Sequence, residues 1–411
     1  MDKRTVFSPA ERSRSILPSS LHQVHRIVEQ RGPGVVPLHI GEPHIGIPES
    51  VREAFVRAIR EGHSYYCDAP GLIALREAIS LHLQMTRQVS IDADRIFVTP
   101  GSCQAIAAVL LSLAFDGGSV LLPELHWPMH LQQILMAGMR PIFYRNTDPN
   151  LSLVEALEDA YQPGACGAII NSPSNPAGQV IDIDTMTAVY EWAQRRRISV
   201  ISDEAYENFL YEGDSFALAK LDENSSEEAR LVFSVHTFSK SFSLTGYRLG
   251  YVSAPNRERA DLLRRVQEAM LVAPSTPVQF AGLAALRDSD HLRRHHAYVR
   301  STRDEAVRLL QAAGLLWTIP RGGWYALVDF QSSGVSADRF TSTLLDEAGV
   351  AVAPGSAFLP AHHPLGDRLA RVALCCERAE TLRGLSLLVD WSRSRIKSDP
   401  VHVNFSFPPV R

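Results

Sequence analysis

Apolar residues recur along this chain at two spacings, which predict two kinds of element. Over residues 48–60 and again over 72–83 they return every three or four positions, as in helices with one buried face. Elsewhere they form short unbroken runs that are typical of buried strands. The predicted strands cover residues 96–99, 119–122, 168–170, 199–201, 231–233 and 249–252. Further helices are predicted over 103–114, 184–196 and roughly 291–313, and a capping box at Ser152 and Glu155 predicts another helix start.

The order of these elements predicts a division of the chain into parts. Up to about residue 285, short apolar strands alternate with helices, which indicates an α/β unit with a largely parallel sheet. Beyond it, a long helix precedes strands near 325–330, 350–353 and 371–374, which indicates a smaller α+β domain. We therefore predict an N-terminal segment (1–47) that joins the small domain, a large domain (48–285) and a small C-terminal domain (286–411). Residues 1–15 are predicted to form a loose arm.

Composition and charge exclude several classes of protein. The 411 residues are 45% hydrophobic and 21% charged, so a mainly disordered chain is excluded. The formal net charge of −4 gives no support for a nucleic-acid binder, which usually has a basic excess. The N-terminus lacks an apolar signal segment, and the longest apolar run (103–115) is shorter than the roughly 20 residues that span a bilayer. Five scattered cysteines without a Cys-x-x-Cys pair suit a reducing compartment. We therefore predict a cytoplasmic protein without membrane or nucleic-acid partners.

Polar or aromatic side chains follow five of the predicted strands, where open α/β sheets bind their ligands. These residues are Gly101 and Ser102 after 96–99, Trp127 after 119–122, Asn175 after 168–170, Asp203 and Tyr206 after 199–201, and Thr237, Ser239 and Lys240 after 231–233. Because the carboxyl ends of parallel strands meet at one edge of a sheet, these groups are predicted to face one crevice.

The chemistry of this set matches one ligand. The helix N-terminus at Ser102 and the guanidinium of Arg248 suit a phosphate. Trp127 offers a flat face for a ring, and the isolated carboxylate of Asp203 suits a cationic ring nitrogen. Lys240 is placed to form an imine with an aldehyde. Together these requirements describe pyridoxal 5'-phosphate. The histidines at helical spacing lack flanking cysteines or carboxylates, so no metal site is predicted.

Four motifs, in their order and spacing, resemble those of the fold-type I, class I/II aminotransferases of the aspartate aminotransferase superfamily. They are Asn175-Pro-Ala-Gly178, Asp203-Glu-Ala-Tyr206, Ser239-Lys240 and Gly246-Tyr-Arg248-Leu-Gly-Tyr251. The resemblance covers about residues 38–383. It implies a large domain with a mainly parallel seven-stranded sheet flanked by helices, plus a smaller α+β domain. It also implies PLP-dependent transfer of an amino group between an L-amino acid and a 2-oxo acid by a ping-pong mechanism.

The resemblance further implies a role for each matching residue toward the cofactor. Lys240 forms the Schiff base and then moves the substrate proton, while Asp203 pairs with the pyridine nitrogen. Tyr206 and Asn175 bond the phenolic oxygen of the ring, and Trp127 stacks on it. The implied phosphate ligands are Ser102, Thr237, Ser239 and Arg248, with Gly101 and Cys103 in the same turn.

Substrate and partner contacts follow from the same resemblance. Arg371 matches the arginine that clamps the substrate α-carboxylate, and Gly41 and Asn175 complete the implied substrate site. Tyr66 occupies the position of a tyrosine that reaches the phosphate of the neighbouring subunit, so a homodimer is implied. In aspartate/prephenate-type relatives a lysine that reads the distal carboxylate stands where this chain has Cys103, which weakens an aspartate-specific prediction.

Other functions stay open at this point. The same scaffold supports elimination, cyclisation or oxidation of an amino acid, because reaction choice depends on orientation and pocket shape. A non-catalytic regulatory or binding relative is an alternative of another class, against which the intact Lys240 and Asp203 argue. A nucleotide-binding dehydrogenase would need a G-x-G-x-x-G turn after an early strand, and the sequence has none.

Overall fold

A seven-stranded sheet forms the centre of the structure. The computed structural model describes residues 16, 20–214, 216–330 and 336–396, so the predicted arm at 1–15 lies outside the described residues. The strands of this sheet are β2 (Ile96–Thr99), β3 (Ser119–Pro123), β4 (Arg140–Tyr144), β5 (Ala165–Asn171), β6 (Ser199–Asp203), β7 (Val232–Thr237) and β8 (Gly250–Ser253). Their order is β2-β8-β7-β6-β5-β3-β4, and every pairing is parallel except those of β8 with β2 and β7. The predicted mainly parallel α/β sheet is confirmed.

The sheet strands read as unbroken apolar runs because both of their faces are buried. Ile170 and Val200 point into one apolar cluster, whereas their neighbours Ile169 and Ile201 point into another on the opposite face. Helices cover both faces, as a parallel sheet requires. The helices that precede residue 288 are α1 (Ser20–Arg31), α2 (Glu49–Arg60), α3 (Ile73–Arg87), α4 (Gly101–Leu113), α5 (Pro128–Met136), α6 (Leu153–Ala160), α7 (Ile183–Arg196), α8 (Ala219–Asp222), α9 (Phe238–Ser241), α10 (Arg257–Leu271) and α11 (Thr276–Leu286).

Two small sheets lie outside the central one and share a separate apolar cluster. β9 (Tyr325–Asp329), β12 (Leu369–Ala373) and β11 (Ala353–Pro354) form an antiparallel sheet in the order β11-β12-β9. β1 (Val36–Pro37) pairs in parallel with β10 (Val350–Ala351), which ties the N-terminal segment to the C-terminal part. The helices of this part are α12 (Ser289–Ala312), α13 (Ala337–Ala348) and α14 (Arg378–Ile396). The division of the chain at residues 47 and 285 stays a prediction.

The structure differs from the sequence-based elements at identifiable places. The strand expected over 350–353 is two strands, because Val350 pairs with β1 while Ala353 pairs with β12 in another sheet. The capping box at Ser152 is confirmed, with its side chain accepting from the backbone of Glu155. Within the described ranges, no helix has both the length and the apolar character that crossing a membrane demands.

Candidate active site

A cavity of about 600 Å³ opens beyond the carboxyl ends of the central strands. Most of the residues singled out by the sequence line it. They are Gly41, Ser102, Cys103, Trp127, Asn175, Asp203, Tyr206, Thr237, Ser239, Lys240, Arg248 and Arg371. Five central strands end at this edge, and the small sheet and the N-terminal segment add Arg371 and Gly41, which lie 330 positions apart in the chain. The cavity satisfies the requirements of a small-molecule site: it is concave, partly apolar and lined by a few charged groups.

Asp203 ends β6 and is buried, with only 4% of its surface exposed. One carboxylate oxygen lies 2.9 Å from Nε2 of His130, and the other accepts from the backbone N–H of Ala205. His130 is itself fully buried on the first turns of α5, directly after Trp127. A buried carboxylate with these partners is held in one orientation, which a group that must face a ligand requires.

Lys240 lies across the cavity on α9, immediately after β7. Its Nζ donates to the backbone oxygen of Gly41 at 3.1 Å and stands 4.8 Å from the ring centre of Trp324. Tyr206 donates to the hydroxyl of Tyr325, and burial raises the pKa of Tyr206 well above its usual value. The hydroxyl of Tyr206 therefore stays neutral, and a ligand oxygen would have to replace Tyr325 as the acceptor of its one hydrogen bond.

A second corner of the cavity has the features of an anion cradle. Gly101 has a φ of +78°, and a Cβ there would lie 2.6 Å from a guanidinium nitrogen of Arg248. A Cβ on Gly250 would lie 2.7 Å from the backbone N of Ser102. The two glycines therefore let the helix N-terminus and the guanidinium approach one point. Thr237 caps α9 by accepting from the backbone N–H of Ser239, and both side chains are buried at this corner.

Cys103 and Trp127 form the wall beside that corner. Gln133 donates to both the backbone oxygen and the sulfur of Cys103, at 2.7 and 3.1 Å. Burial raises the pKa of the Cys103 thiol, so the group is a neutral wall residue. Trp127 meets the ring of His130 edge-on at 5.2 Å, which fixes its plane. His126, which precedes Trp127, is buried against Phe143 and does not line the cavity.

Arg371 projects from β12 and is almost fully buried. Its Nη1 donates to Oδ1 of Asn175 at 2.9 Å, and its Nη2 donates to the backbone oxygen of His39 at 2.7 Å. The guanidinium carbon lies 3.9 Å from the ring centre of Tyr325. A guanidinium held flat by an aromatic ring and two acceptors is oriented to bind a carboxylate with both of its arms.

Two predicted residues lie outside the cavity lining. Gly101 is one position before Ser102 and shapes the cradle through its backbone rather than by lining the space. Tyr66 does not reach this cavity, and 85% of its surface is exposed. An exposed aromatic side chain is free to contact another subunit, so the role of Tyr66 stays a prediction.

The sequence-based site omits four residues of this region. The helical spacing of His130 is typical of a solvated or packing histidine, but His130 contacts Asp203; its place one turn after Trp127 is the available signal. The sequence leaves Tyr325 open between pocket lining and core packing, and in the structure Tyr325 lines the cavity. His25 and His39 also line it, and no local pattern marks them.

A group of side chains with ligand chemistry lies behind Asp203. Glu204, Glu207 and His236 approach within 4.8 Å of one another. Arg87 lies 3.2 Å from Glu204 and 3.6 Å from Glu207, so a guanidinium already neutralises the carboxylates. Burial would raise the pKa of Glu207, but His236 and Arg87 outweigh it and lower that pKa to about 2. This group is therefore a buried ion network beneath the cavity floor.

Comparison with known proteins extends these observations. A model of the family "Aminotransferase class I and II" matches residues 33–385. A probable aspartate/prephenate aminotransferase of Aquifex aeolicus is 32% identical over 338 residues, which are 80% of this chain and 85% of that protein. An aromatic-amino-acid aminotransferase of Thermococcus litoralis is 30% identical over 362 residues, covering 85% of this chain and 90% of that one. The solved structure of a Thermus thermophilus aspartate aminotransferase double mutant superposes with a TM-score of 0.84 at 26% identity, over 93% of this chain and 98% of that one.

Proposed function

This chain belongs to the class I and II aminotransferases and transfers amino groups, and we propose that it does so with pyridoxal 5'-phosphate held in the cavity described above. The convergence of Lys240, Asp203 and Arg248 on one cavity carries the proposal. An amine, a carboxylate and a guanidinium are the partners that an aldehyde, a pyridinium nitrogen and a phosphate each need.

The cradle supports the fit of the phosphate. Among the described residues, no acidic side chain pairs with Arg248, whose Nη1 donates to the backbone oxygen of Thr245. Its charge is therefore available for an anion. A Cβ at Gly101 would collide with Arg248, and one at Gly250 would collide with the backbone N of Ser102. Glycine at both positions therefore lets these donors lie close enough together to bind one phosphate.

When bound, pyridoxal phosphate supplies an electron sink that stabilises negative charge at the substrate α-carbon. The residues of the chain do the rest. Asp203 would hold a proton on the ring nitrogen through its buried oxygen, and His130 would keep that carboxylate in place. Nζ of Lys240 would take the proton from the substrate α-carbon and return it to the carbon on the other side of the substrate nitrogen. Tyr206, kept neutral by burial, would turn its hydroxyl hydrogen from Tyr325 to the ring oxygen, with Asn175 beside it.

The donor is proposed to be an L-amino acid and the acceptor a 2-oxo acid. Both carry a carboxylate next to the reacting carbon, and Arg371 offers two donors in a fixed plane for it. Gly41 accepts from Lys240 and lines the same cavity as Arg371, which supports a role for its backbone in the same contact. Elimination, cyclisation and oxidation would use the same residues, so the products decide between them.

A homodimer in the cytoplasm is also proposed. The high exposure of Tyr66 and of its neighbour Tyr65 supports a subunit contact at this corner. All five cysteines are free thiols, which suits a reducing compartment.

The proposal is tested by an absorption spectrum of the purified protein, recorded before and after adding amino acids one at a time. We expect a bound-cofactor band that changes with a donor, and one 2-oxo acid formed for each cofactor converted. Ammonia release or oxygen uptake would indicate elimination or oxidation instead. If no cofactor band forms after pyridoxal phosphate is added, the proposal is wrong and a non-catalytic relative is favoured.

The role of Arg371 gives a separate prediction. Arg371→Lys is expected to raise KM for amino acid and oxo acid alike by on the order of 10- to 100-fold, because an ammonium cannot form the two-armed contact. Steady-state kinetics with both substrates measure this. Arg368→Lys is the matched control, since Arg368 precedes β12, pairs with Asp329 and does not line the cavity. Equal KM values for the Arg371→Lys variant and the unmodified enzyme would exclude the clamp.

A further inference from the structure

Two histidines form a pair in the cavity wall that faces away from the central sheet. His25 lies on α1, and His39 follows β1. Nδ1 of His25 lies 3.3 Å from Nε2 of His39, and both side chains line the cavity. One member is deep and the other is at the surface: His39 is 3% exposed, and the side chain of His25 is 39% exposed. The pair therefore connects the interior of the cavity with solvent.

His39 has unused hydrogen-bonding capacity. Its Nδ1 is buried and finds no hydrogen-bond partner in the described part of the chain. An unpartnered buried polar atom costs free energy unless a ligand or a water satisfies it. Burial, then His25 and then Arg371 lower the pKa of His39 to about 4. In the free enzyme near pH 7 the deep member of the pair is neutral.

The charges around the pair favour an anion. From β12, Arg371 donates to the backbone oxygen of His39. From α9, Lys240 donates to the backbone oxygen of Gly41, two residues after His39. On α1 itself, Glu29 lies 3.5 Å from Nε2 of His25 but is largely exposed, and His22 lines the mouth of the cavity. The remaining titratable groups nearby are the hydroxyl of Tyr325, the thiol of Cys376, which lies 3.6 Å from the backbone oxygen of Ile40, and Glu42, which accepts from Thr245.

No lysine or arginine among the described cavity residues remains to bind an anionic group on the substrate side chain. The lysine and arginine side chains that line the cavity, within the described ranges, are Lys240, Arg248 and Arg371. The proposed function already assigns all three to the cofactor and the α-carboxylate. Among the described residues that line the cavity, the histidines are the remaining side chains that can take up a proton and become cationic near neutral pH.

We propose that the His25–His39 pair is the subsite for the side chain of the amino donor, that this side chain carries a second anionic group, and that the pair takes up one proton from solvent as the anion binds. The inference rests on the proposed aminotransferase function. No covalent bond forms or breaks: one proton moves from water to an imidazole nitrogen, and the imidazolium donates a hydrogen bond to the anion.

Burial is the largest cause of the lowered pKa of His39 and His25 is the second, and the substrate acts on the third cause, which is Arg371. The substrate α-carboxylate neutralises Arg371, and its distal anion favours the imidazolium, so both contacts raise the pKa of His39 from about 4. Linkage then fixes the direction of the pH effect. A group whose pKa rises on binding makes binding stronger as pH falls, so the affinity for an anionic donor increases from pH 8 toward pH 6.

The test uses the holoenzyme and compares donors of different charge. We expect kcat/KM to be higher for L-aspartate, L-glutamate or O-phospho-L-serine than for L-leucine and L-phenylalanine. The ratio of anionic to neutral donors cancels the titration of the donor amine, and this ratio is expected to rise as pH falls. Comparison of kcat/KM for L-aspartate with that for O-phospho-L-serine shows whether the histidine pair prefers a carboxylate or a phosphate.

Two variants and a matched control complete the test. The His25→Ala variant is expected to fold, because the side chain of His25 is half-exposed on a helix. The His39→Gln variant keeps a polar side chain at the buried position. Each is expected to lower kcat/KM for the preferred anionic donor by about 10- to 100-fold, the scale of one charge-assisted hydrogen bond, and to flatten the pH trend of the ratio. His44→Ala is the control, because His44 stacks on Tyr298 outside the cavity lining and should change neither quantity.

Three results would overturn the inference while the proposed function stands. These are preference for neutral donors, loss of activity in His25→Ala that is equal for all donors, and a ratio independent of pH. Absence of a cofactor band or of transfer from every donor would instead defeat the proposed function itself. The two failures are therefore distinguishable in one set of measurements.

Discussion

Replacing Lys240 with alanine is expected to lower kcat for amino-group transfer by about 10⁴-fold, the upper range for loss of a positioned acid–base group that also bonds the cofactor. Nζ of Lys240 is the only primary amine of a side chain lining the cavity within the described ranges. It is held by one hydrogen bond to Gly41 and by the ring of Trp324, so it is free of any carboxylate that would have to be displaced. Single-turnover and steady-state rates measure the effect.

Lys220→Ala serves as the control for that variant. Lys220 lies on α8, pairs with Glu223 and is distant from the cavity lining, so its replacement should leave kcat unchanged. Added primary amines of low molecular mass should restore part of the activity of Lys240→Ala, because they can replace Nζ as the proton carrier. If Lys240→Ala retained the rate of the unmodified enzyme, Lys240 could not be the catalytic base.

Asp203→Asn is expected to produce the second largest loss, on the order of 10²- to 10³-fold in kcat, which is the scale for removing one electrostatic group from a dry site. The amide keeps the size of the side chain but cannot stabilise a proton on the ring nitrogen. His130, 2.9 Å away, would face the amide in place of the carboxylate. The cofactor dissociation constant, measured by titration of the apoenzyme, should rise in the same variant.

A surface charge of the same type provides the comparison for Asp203. Asp184→Asn removes a carboxylate from the exposed first turn of α7 and is expected to leave kcat and cofactor affinity as they were. Thermal unfolding of both variants separates a chemical effect from a folding defect. Full activity of Asp203→Asn with cofactor bound would contradict the role of Asp203.

The central sheet could be predicted from the sequence because its strands are buried on both faces. Runs such as Ile169–Ile170 and Val200–Ile201 have no polar member, and helices separate them. β4 was missed because its first residues, Arg140 and Pro141, belong to an edge strand that tolerates charge and proline. The split at Val352 could not be predicted, since the partners of β10 and β11 are more than 300 and about 20 positions away along the chain.

The cavity residues could be predicted where they follow a strand directly. Asp203, Lys240 and Trp127 all do so, and the sheet edge alone brings them together. The approach of His25 and His39 could not be predicted. It depends on how α1 and the segment after β1 pack against the small sheet, and no local spacing in the sequence encodes that packing. The place of Tyr325 in the cavity could not be predicted either, because it comes from the small sheet that also holds Arg371.

β1 anchors the histidine-bearing segment by backbone pairing with β10, and the backbone oxygen of Leu38 accepts from Ala373. These backbone hydrogen bonds do not depend on which side chains face the cavity. The histidines proposed to contact the donor side chain and the residues proposed to bind the cofactor therefore lie in separate stretches of the chain. Exchange of the cavity-facing side chains alone, such as His25 and His39, is therefore a route to new amino donors that leaves the cofactor-facing residues unaltered, whereas Val36 and Leu38 must stay apolar because they are buried in the core of the C-terminal part.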